Sequence, residues 1–264
     1  MKIQQIRNAT VRIAFGGKTF LIDPWLAGKG ETGCIADIPG HPYTIPDPVK
    51  EMIPMPIFPL PFDRNTILAG VDAYIVTHLH PDHVDMNLDG TVGAPLDHTV
   101  PVFVQNEADR QVFVKSGFTE VTVLKASGTS FGDVKLTKTP ARHGTINPCG
   151  EACGVIFEAD DEKTLYLAGD TVWYESVGET LRTFKPAVTL INACAAETVQ
   201  NGRLIMNDED IEAVSRTLPG TRIFLTHMDN VPHASITRTQ MRGLLARRGI
   251  TDYVMPADGK TETF

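Results

Sequence analysis

The stretch "VDAYIVTHLHPDHVD", Val71 to Asp85, carries an apolar segment straight into a cluster of histidines and aspartates. Its first part, "VDAYIV", has the β-branched and aromatic content of a buried strand. Its second part, "THLHPDHVD", places His78, His80, Asp82, His83 and Asp85 within nine residues. Pro81 breaks any helix there, so the histidines lie on a loop. A loop leaving the end of a buried strand turns several side chains to one point on a rigid scaffold. Neutral imidazole and carboxylate are ligands that zinc and related divalent ions prefer, and burying so much polarity without an ion is costly. The alternative is a solvated polar turn, which would need no distant partners.

Working outward, "ATVRIAFG" and "KTFLIDP" read as two strands joined at Gly16-Gly17, a pair suited to a tight hairpin turn. Between Cys34 and Phe62 eight prolines, Pro39, Pro42, Pro46, Pro48, Pro54, Pro56, Pro59 and Pro61, exclude a regular helix and a central strand. Ile53, Met55, Ile57, Phe58, Leu60 and Phe62 make this insertion too apolar for a solvated linker. It reads as an active-site lid or as a belt over the core. Downstream, "VPVFV", "EVTVL", "DVKLTKT", "CGVIFEA" and "TLYLAG" read as strands. A short helix in "NEADRQVFVKSG" is capped by Asn106 and stopped by Gly117. The second half alternates helix and strand: "ESVGETLRTF", "AVTLINA", "NDEDIEAVSRTL", "RIFLTH", "SITRTQMRGLLARR" and "DYVMPA". Strands throughout with interleaved helices predict two sheets packed together with helices outside.

The 264 residues carry a formal net charge of −8, which disfavours nucleic acid as a partner. No apolar run is long enough to span a bilayer and no signal-peptide pattern opens the chain, so no membrane association and a cytoplasmic location are expected. Cys34, Cys149, Cys153 and Cys194 are too scattered for a disulfide framework and are expected as free thiols. A small-molecule substrate is the expected partner, with homo-oligomerisation left open.

"HLHPDH" resembles the H-x-H-x-D-H signature of the metallo-β-lactamase superfamily. His143 in "PARHG", Asp170 in "YLAGDT" and His227 in "IFLTHMD" resemble its remaining ligands in the same order, and Asp23 in "LIDPW" resembles its Asp-Pro. The resemblance implies an α/β fold, an αββα sandwich of two mixed sheets, as one domain over residues 1–264, within which the 34–62 insertion stays a lid or a belt. It also implies His78, His80 and His143 on one divalent ion, Asp82, His83 and His227 on another, and Asp170 between them. Two such ions, zinc foremost with manganese or iron as alternatives, would share a hydroxide that attacks an ester, lactone or phosphoester bond. "AGDTVWYE", "LINACAAE" and "LTHMDNVPHAS" look most like an intracellular branch related to ascorbate-phosphate lactonases. An iron dioxygenase acting on a persulfide and a non-catalytic metal-binding module are the alternatives.

His233 competes with His227 for the last ligand position; His227 is preferred because it directly follows a strand. Catalytic roles are assigned to Asp82, Asp170 and His233, the last as a proton donor or substrate contact. Asp85 is expected to accept from a ligand imidazole, with Asp23 doing likewise. Trp173 and Tyr174 read as pocket wall or as packing, and Cys194 as a pocket-lining residue. Arg238, Arg242, Arg247 and Arg248 read as a solvated helix face, and Asp258 as a turn cap.

Overall fold

The computed structural model describes residues 1–264. The chain begins with β1 (Lys2–Arg7), β2 (Thr10–Phe15) and β3 (Lys18–Ile22), followed by α1 (Pro48–Glu51), α2 (Arg64–Leu68), β4 (Ala73–Val76) and β5 (Val102–Val104). Then come α3 (Glu107–Lys115), β6 (Val121–Val123), β7 (Thr129–Phe131), β8 (Val134–Pro140), β9 (Cys153–Glu158), β10 (Leu165–Leu167), α4 (Glu175–Phe184) and β11 (Val188–Asn192). The last part holds β12 (Glu197–Thr198), β13 (Gly202–Arg203), α5 (Asp208–Thr217), β14 (Arg222–Thr226), α6 (Arg238–Arg247), β15 (Tyr253–Val254) and β16 (Thr261–Thr263).

Two seven-stranded sheets result, ordered β16-β1-β2-β3-β4-β5-β6 and β15-β14-β11-β10-β9-β8-β7. Each is antiparallel on one side and parallel on the other: β3, β4, β5 and β6 run parallel, as do β10, β11, β14 and β15. Gly16 and Gly17, at φ +55° and +70°, make the β2–β3 hairpin turn that their pairing predicts.

The period of two along the strands builds the layers. Val155 and Phe157 of β9 and Leu165 and Leu167 of β10 face the first sheet, packing with Ile13, Phe20 and Ile75. Ile156 and Tyr166, one residue out of phase, face the other way into a core shared with Val177 and Leu181 of α4, Ile211 of α5 and Met241 of α6. On the far side of the first sheet, Tyr74, Val76 and Val104 pack with Phe113 of α3. The outcome is the expected αββα sandwich, with a large side chain in these layers contributing about 1.5–3 kcal/mol by its burial. Asn106 caps α3 by accepting from the Asp109 N–H at 2.8 Å, and Gly117 at φ +94° follows its end.

Several elements escape the sequence reading. β1 and β16 pair at one edge, Lys2 opposite Thr263, and neither carries a clear strand pattern. β7 has only one large apolar residue, and the hairpin β12–β13 is two residues on each side. The proline-rich insertion does contain a 3-10 turn at Ile35–Asp37 and one α-helical turn, α1, where Pro48 stands at a position whose missing N–H costs nothing.

That insertion is hydrogen-bonded across its base. Thr32 N–H donates to the Met55 carbonyl and Met55 N–H to the Gly33 carbonyl, both at 2.9 Å, clamping its base. Ile35, Ile45 and Met55 are buried in the core beneath α4 and α5. Arg238 corrects the expected solvated arginine face: it is buried and paired with Asp229 at 3.1 Å and Asp258 at 2.5 Å, so Asp258 is an ion-pair partner. Arg248 pairs with Asp208 and Glu212. No helix is long and apolar enough to cross a membrane.

Candidate metal centre

The carboxyl ends of β4, β8, β10 and β14 converge at one edge of the sandwich. His78 follows β4, His143 follows β8, Asp170 follows β10 and His227 directly follows β14. Parallel strands ending together leave a crevice into which their following loops project, the usual position for a site in such sheets. Gly169 makes the approach of Asp170 feasible: at φ +66°, a Cβ there would stand 2.4 Å from the Cys153 carbonyl oxygen.

The structure brings together all seven residues expected from the sequence. His78, His80 and His143 form one group able to hold a metal ion, Asp82, His83 and His227 a second, and His78, His83 and Asp170 a third that links them. Within the first, His143 Nε2 lies 3.2 Å from His80 Nδ1. Within the second, His83 Nε2 lies 3.1 Å from His227 Nε2, and Asp82 Oδ2 lies 3.2 Å from the latter. Asp170 reaches both: Oδ2 stands 3.3 Å from His83 and 3.7–3.8 Å from His143 and His78, while Oδ1 stands 3.8 Å from His227. His233 stands apart, with its Nε2 3.8 Å from Asp82 Oδ2.

Hydrogen bonds behind the cluster fix which nitrogens face inward. His83 Nδ1 donates to Asp23 Oδ2 at 2.8 Å, and His143 Nδ1 to the Leu204 carbonyl at 3.1 Å, leaving each Nε2 free. Thr77 donates its hydroxyl proton to Asp23 at 2.8 Å, so its oxygen is left to accept from His78 Nδ1 at 3.1 Å. His78 Nε2 then carries a bare lone pair, buried and without any partner. A buried acceptor aimed at other acceptors is stable only with a cation among them, so the donor set fits a divalent ion.

The expected role of Asp85 is corrected. Its carboxylate accepts from the Leu26 and Ala27 N–H groups at 2.7 and 3.0 Å, holding the chain after β3, and touches no imidazole. Asp23 alone fills that role. Two residues that carry no sequence signal also support the cluster. Asn8, in the β1–β2 turn, directs its Nδ2 to the Asp82 carbonyl at 3.1 Å and to His227 at 3.3 Å. Asn192 at the end of β11 donates to Asp170 Oδ1 at 2.6 Å. Asn8, Asp23 and His227 all hold left-handed backbone, φ +51°, +43° and +63°. Such conformations cost about 1–3 kcal/mol each and persist where surroundings over-determine them. Here His227 N–H donates to the Asn8 carbonyl at 3.0 Å, locking two of the three together.

The electrostatics divide the site. Burial opposes ionisation of Asp82 and Asp170, but facing imidazoles, His83 foremost, outweigh it and hold both well below the usual carboxylate range. Burial pushes His78, His143 and His80 down, His80 to about 3. It also opposes charge on His83 and His227, yet Asp170 and neighbouring carboxylates prevail and push both up, His83 to about 10.

Beside the cluster lies a small cavity of about 40 Å³, open to solvent on one side and lined chiefly by Ile35, Met55, Leu204 and Cys149, with His80, Asp82 and His233 at its polar end. Its lining includes no lysine or arginine. The four cysteines are unpaired, as expected. Cys194 lies behind His227, Sγ to Nδ1 3.6 Å, and outside the cavity lining. Trp173 and Tyr174 pack against the core under α4, and Tyr174 also lines an open groove beside His143.

This fold and this cluster define a metal-dependent hydrolase of the metallo-β-lactamase fold. The profile described as "Beta-lactamase superfamily domain" matches residues 19–228, and the chain belongs to the metallo-β-lactamase superfamily. UPF0173 protein YddR of Bacillus subtilis (strain 168) is 37% identical, with each chain covered fully. Among solved structures, a possible metal-dependent hydrolase from Veillonella parvula DSM 2008 aligns with a TM-score of 0.88 and 34% identity, over 100% of this chain and 99% of that one. An isothiocyanate hydrolase from Delia radicum gut bacteria aligns with a TM-score of 0.85 and 33% identity, over the same shares. The expected likeness to ascorbate-phosphate lactonases is not supported by these relatives.

Proposed function

We propose that the chain is a dinuclear, cytoplasmic hydrolase of a small uncharged electrophile. The observation that carries this reading is the position of Asp170, within 3.8 Å of imidazole nitrogens from both halves of the cluster. His78, His80 and His143 would hold one divalent ion, Asp82, His83 and His227 the other, with Asp170 shared and zinc the foremost candidate. Ions bound there supply hydroxide near neutral pH and polarise the bond to be cleaved.

The chain's own residues do the rest. Asp23, Asn192 and the Leu204 carbonyl hold His83, Asp170 and His143 in their inward orientation, and Asn8 holds the main chain of Asp82. The cavity limits bulk water with Ile35, Met55 and Leu204 and leaves His233 at its polar end. Burial pushes His233 down to about 4, so its imidazole is neutral near pH 7, and its Nδ1 has no partner in the protein. We assign it substrate contact and proton transfer at that atom. The apolar lining on Ile35, Ile38, Met55 and Leu204 favours esters, lactones and related neutral carbon electrophiles with an apolar group. The similar isothiocyanate hydrolase makes an isothiocyanate the first substrate to try.

The test is metal content per chain, followed by turnover of benzyl isothiocyanate, a neutral ester, a lactone and a phosphodiester. Two ions per chain with turnover of a neutral substrate is expected. A single ion, or activity confined to the phosphodiester, sinks the reading.

A further inference from the structure

The insertion side of the cavity differs in kind from the sheet side. Ile35, Ile38 and Met55 supply an apolar surface there, and Tyr43 supplies a phenol. Tyr43 is half-buried, with its ring edge-on to His80 at a centroid distance of 5.8 Å and an angle of 70°. Burial and the nearby Cys149 and Asp82 act on its hydroxyl, and no hydrogen bond does. A phenol in a cavity wall with no hydrogen-bond partner in the protein has its O–H free to donate to a ligand seated there.

The other polar groups of the lining are committed elsewhere. Thr198 donates its hydroxyl proton to Asn201 Oδ1 at 2.8 Å, and His80 and Asp82 belong to the cluster. Tyr43 and His233 are the exceptions.

The placement of Tyr43 is fixed by its neighbours. Thr44 N–H donates to Gln200 Oε1 at 3.2 Å, Gln200 Nε2 donates to Thr44 Oγ1 at 3.0 Å, and Val199 N–H donates to the Thr44 carbonyl at 2.7 Å. These bonds tie the segment to the β12–β13 hairpin. On the other side, Ile45 N–H donates to Glu51 Oε1 at 2.7 Å. A donor held this way is preorganised, which is what lets one hydrogen bond count in a small site.

Resting on the hydrolase reading, we propose that Tyr43 is a substrate-binding residue. It donates a hydrogen bond to the electronegative atom of an uncharged substrate whose apolar part packs on Ile35, Ile38 and Met55. A phenol with an ordinary pKa of about 10 stays protonated at neutral pH and can serve throughout. As hydroxide adds to the substrate carbon, a carbon–oxygen bond forms and a pair from the carbon–heteroatom multiple bond moves onto the heteroatom. Tyr43 keeps its proton, and its hydrogen bond strengthens as that charge grows. The insertion thereby selects neutral, acceptor-bearing molecules with a compact apolar group.

The experiment uses the metal-loaded full chain and its Tyr43→Phe and Tyr43→Ala variants, each checked for unchanged metal content. Two unreactive probes are titrated by ligand-observed NMR: N-benzylacetamide, which carries an acceptor, and n-propylbenzene, which does not. Tyr43→Phe is expected to weaken N-benzylacetamide about 3–10-fold, the loss of one hydrogen bond, and to leave n-propylbenzene unchanged. Tyr43→Ala should weaken both. In turnover, Tyr43→Phe should lower kcat/KM at least about tenfold. Unchanged N-benzylacetamide affinity in Tyr43→Phe overturns the assignment and leaves the hydrolase reading standing, as does wild-type protein that binds neither probe. Wild-type protein that shows the expected binding pattern but turns nothing over supports the role of Tyr43 and sinks the hydrolase reading alone.

Discussion

His78, His80 and His143 on one side of the cluster, and Asp82, His83 and His227 on the other, differ mainly in what surrounds them. The first group meets Asp170 at 3.7 Å or more, and burial leaves its imidazoles neutral. The second contains Asp82, brings His83 to 3.3 Å from Asp170, and is backed by Asp23. Those carboxylates hold His83 and His227 protonated in the metal-free protein. Five histidines of one type therefore enter metal binding in two protonation states. Neighbouring carboxylates, more than the histidines themselves, set how each half takes up an ion.

The comparison breaks most completely at Asp170, the residue both halves share. Asp170→Ala should cost about 10²–10³-fold or more in kcat and lower metal content at both halves. Retention of both ions and full turnover would mean that the halves do not meet at this carboxylate.

A finer division is expected at Asp23, which accepts directly from His83 and reaches His78 only through the Thr77 hydroxyl. Asp23→Ala should weaken the ion held by His83 by about 10–100-fold and the ion held by His78 by less, measured by competition with a graded chelator. Equal weakening of both would show that the halves are not separable.

The protonation difference has a sign that calorimetry can read. His83 and His227 carry protons below their raised pKa values and must lose them to bind an ion, whereas His78, His80 and His143 are already neutral at pH 7. Metal uptake near pH 7 should thus release protons. Affinity at the carboxylate-rich half should rise by up to about tenfold per pH unit for each proton released, levelling off as pH passes the folded value of His83, about 10. Binding heats that do not change between buffers of different ionisation enthalpy would contradict this.

The smallest effect is expected at Asp85, whose sequence neighbours make it look like part of the cluster. Asp85→Ala should destabilise the fold by about 1–3 kcal/mol, by leaving the Leu26 and Ala27 N–H groups without an acceptor, with metal content unchanged. Loss of an ion would restore it to the site.

The cluster was legible in the chain because its ligands sit at strand ends and four of them, His78, His80, Asp82 and His83, share one loop. "VDAYIV" and "RIFLTH" announce buried strands, so His78 and His227 could be placed at a rigid edge before any contact was known. Asn8 and Asn192 were not legible: an asparagine in a turn or at a strand end has ordinary local reasons to be there. Asp85 was misread for the opposite reason, since proximity in sequence to His83 says nothing about which way a carboxylate points. β1 and β16 were missed because an edge pairing between residues 2–4 and 261–263 leaves no local pattern in either segment.

The sequence by itself determined the layered fold, because strand periodicity is a local property, and its resemblance to the H-x-H-x-D-H pattern picked out the seven clustered residues. Tertiary structure alone decided the protonation of each imidazole and the choice of Asp23 over Asp85 as its support. It also turned the proline-rich insertion into a cavity wall carrying Tyr43. Those outcomes depend on through-space distances of 3–4 Å between segments far apart in the chain, which the order of residues does not specify.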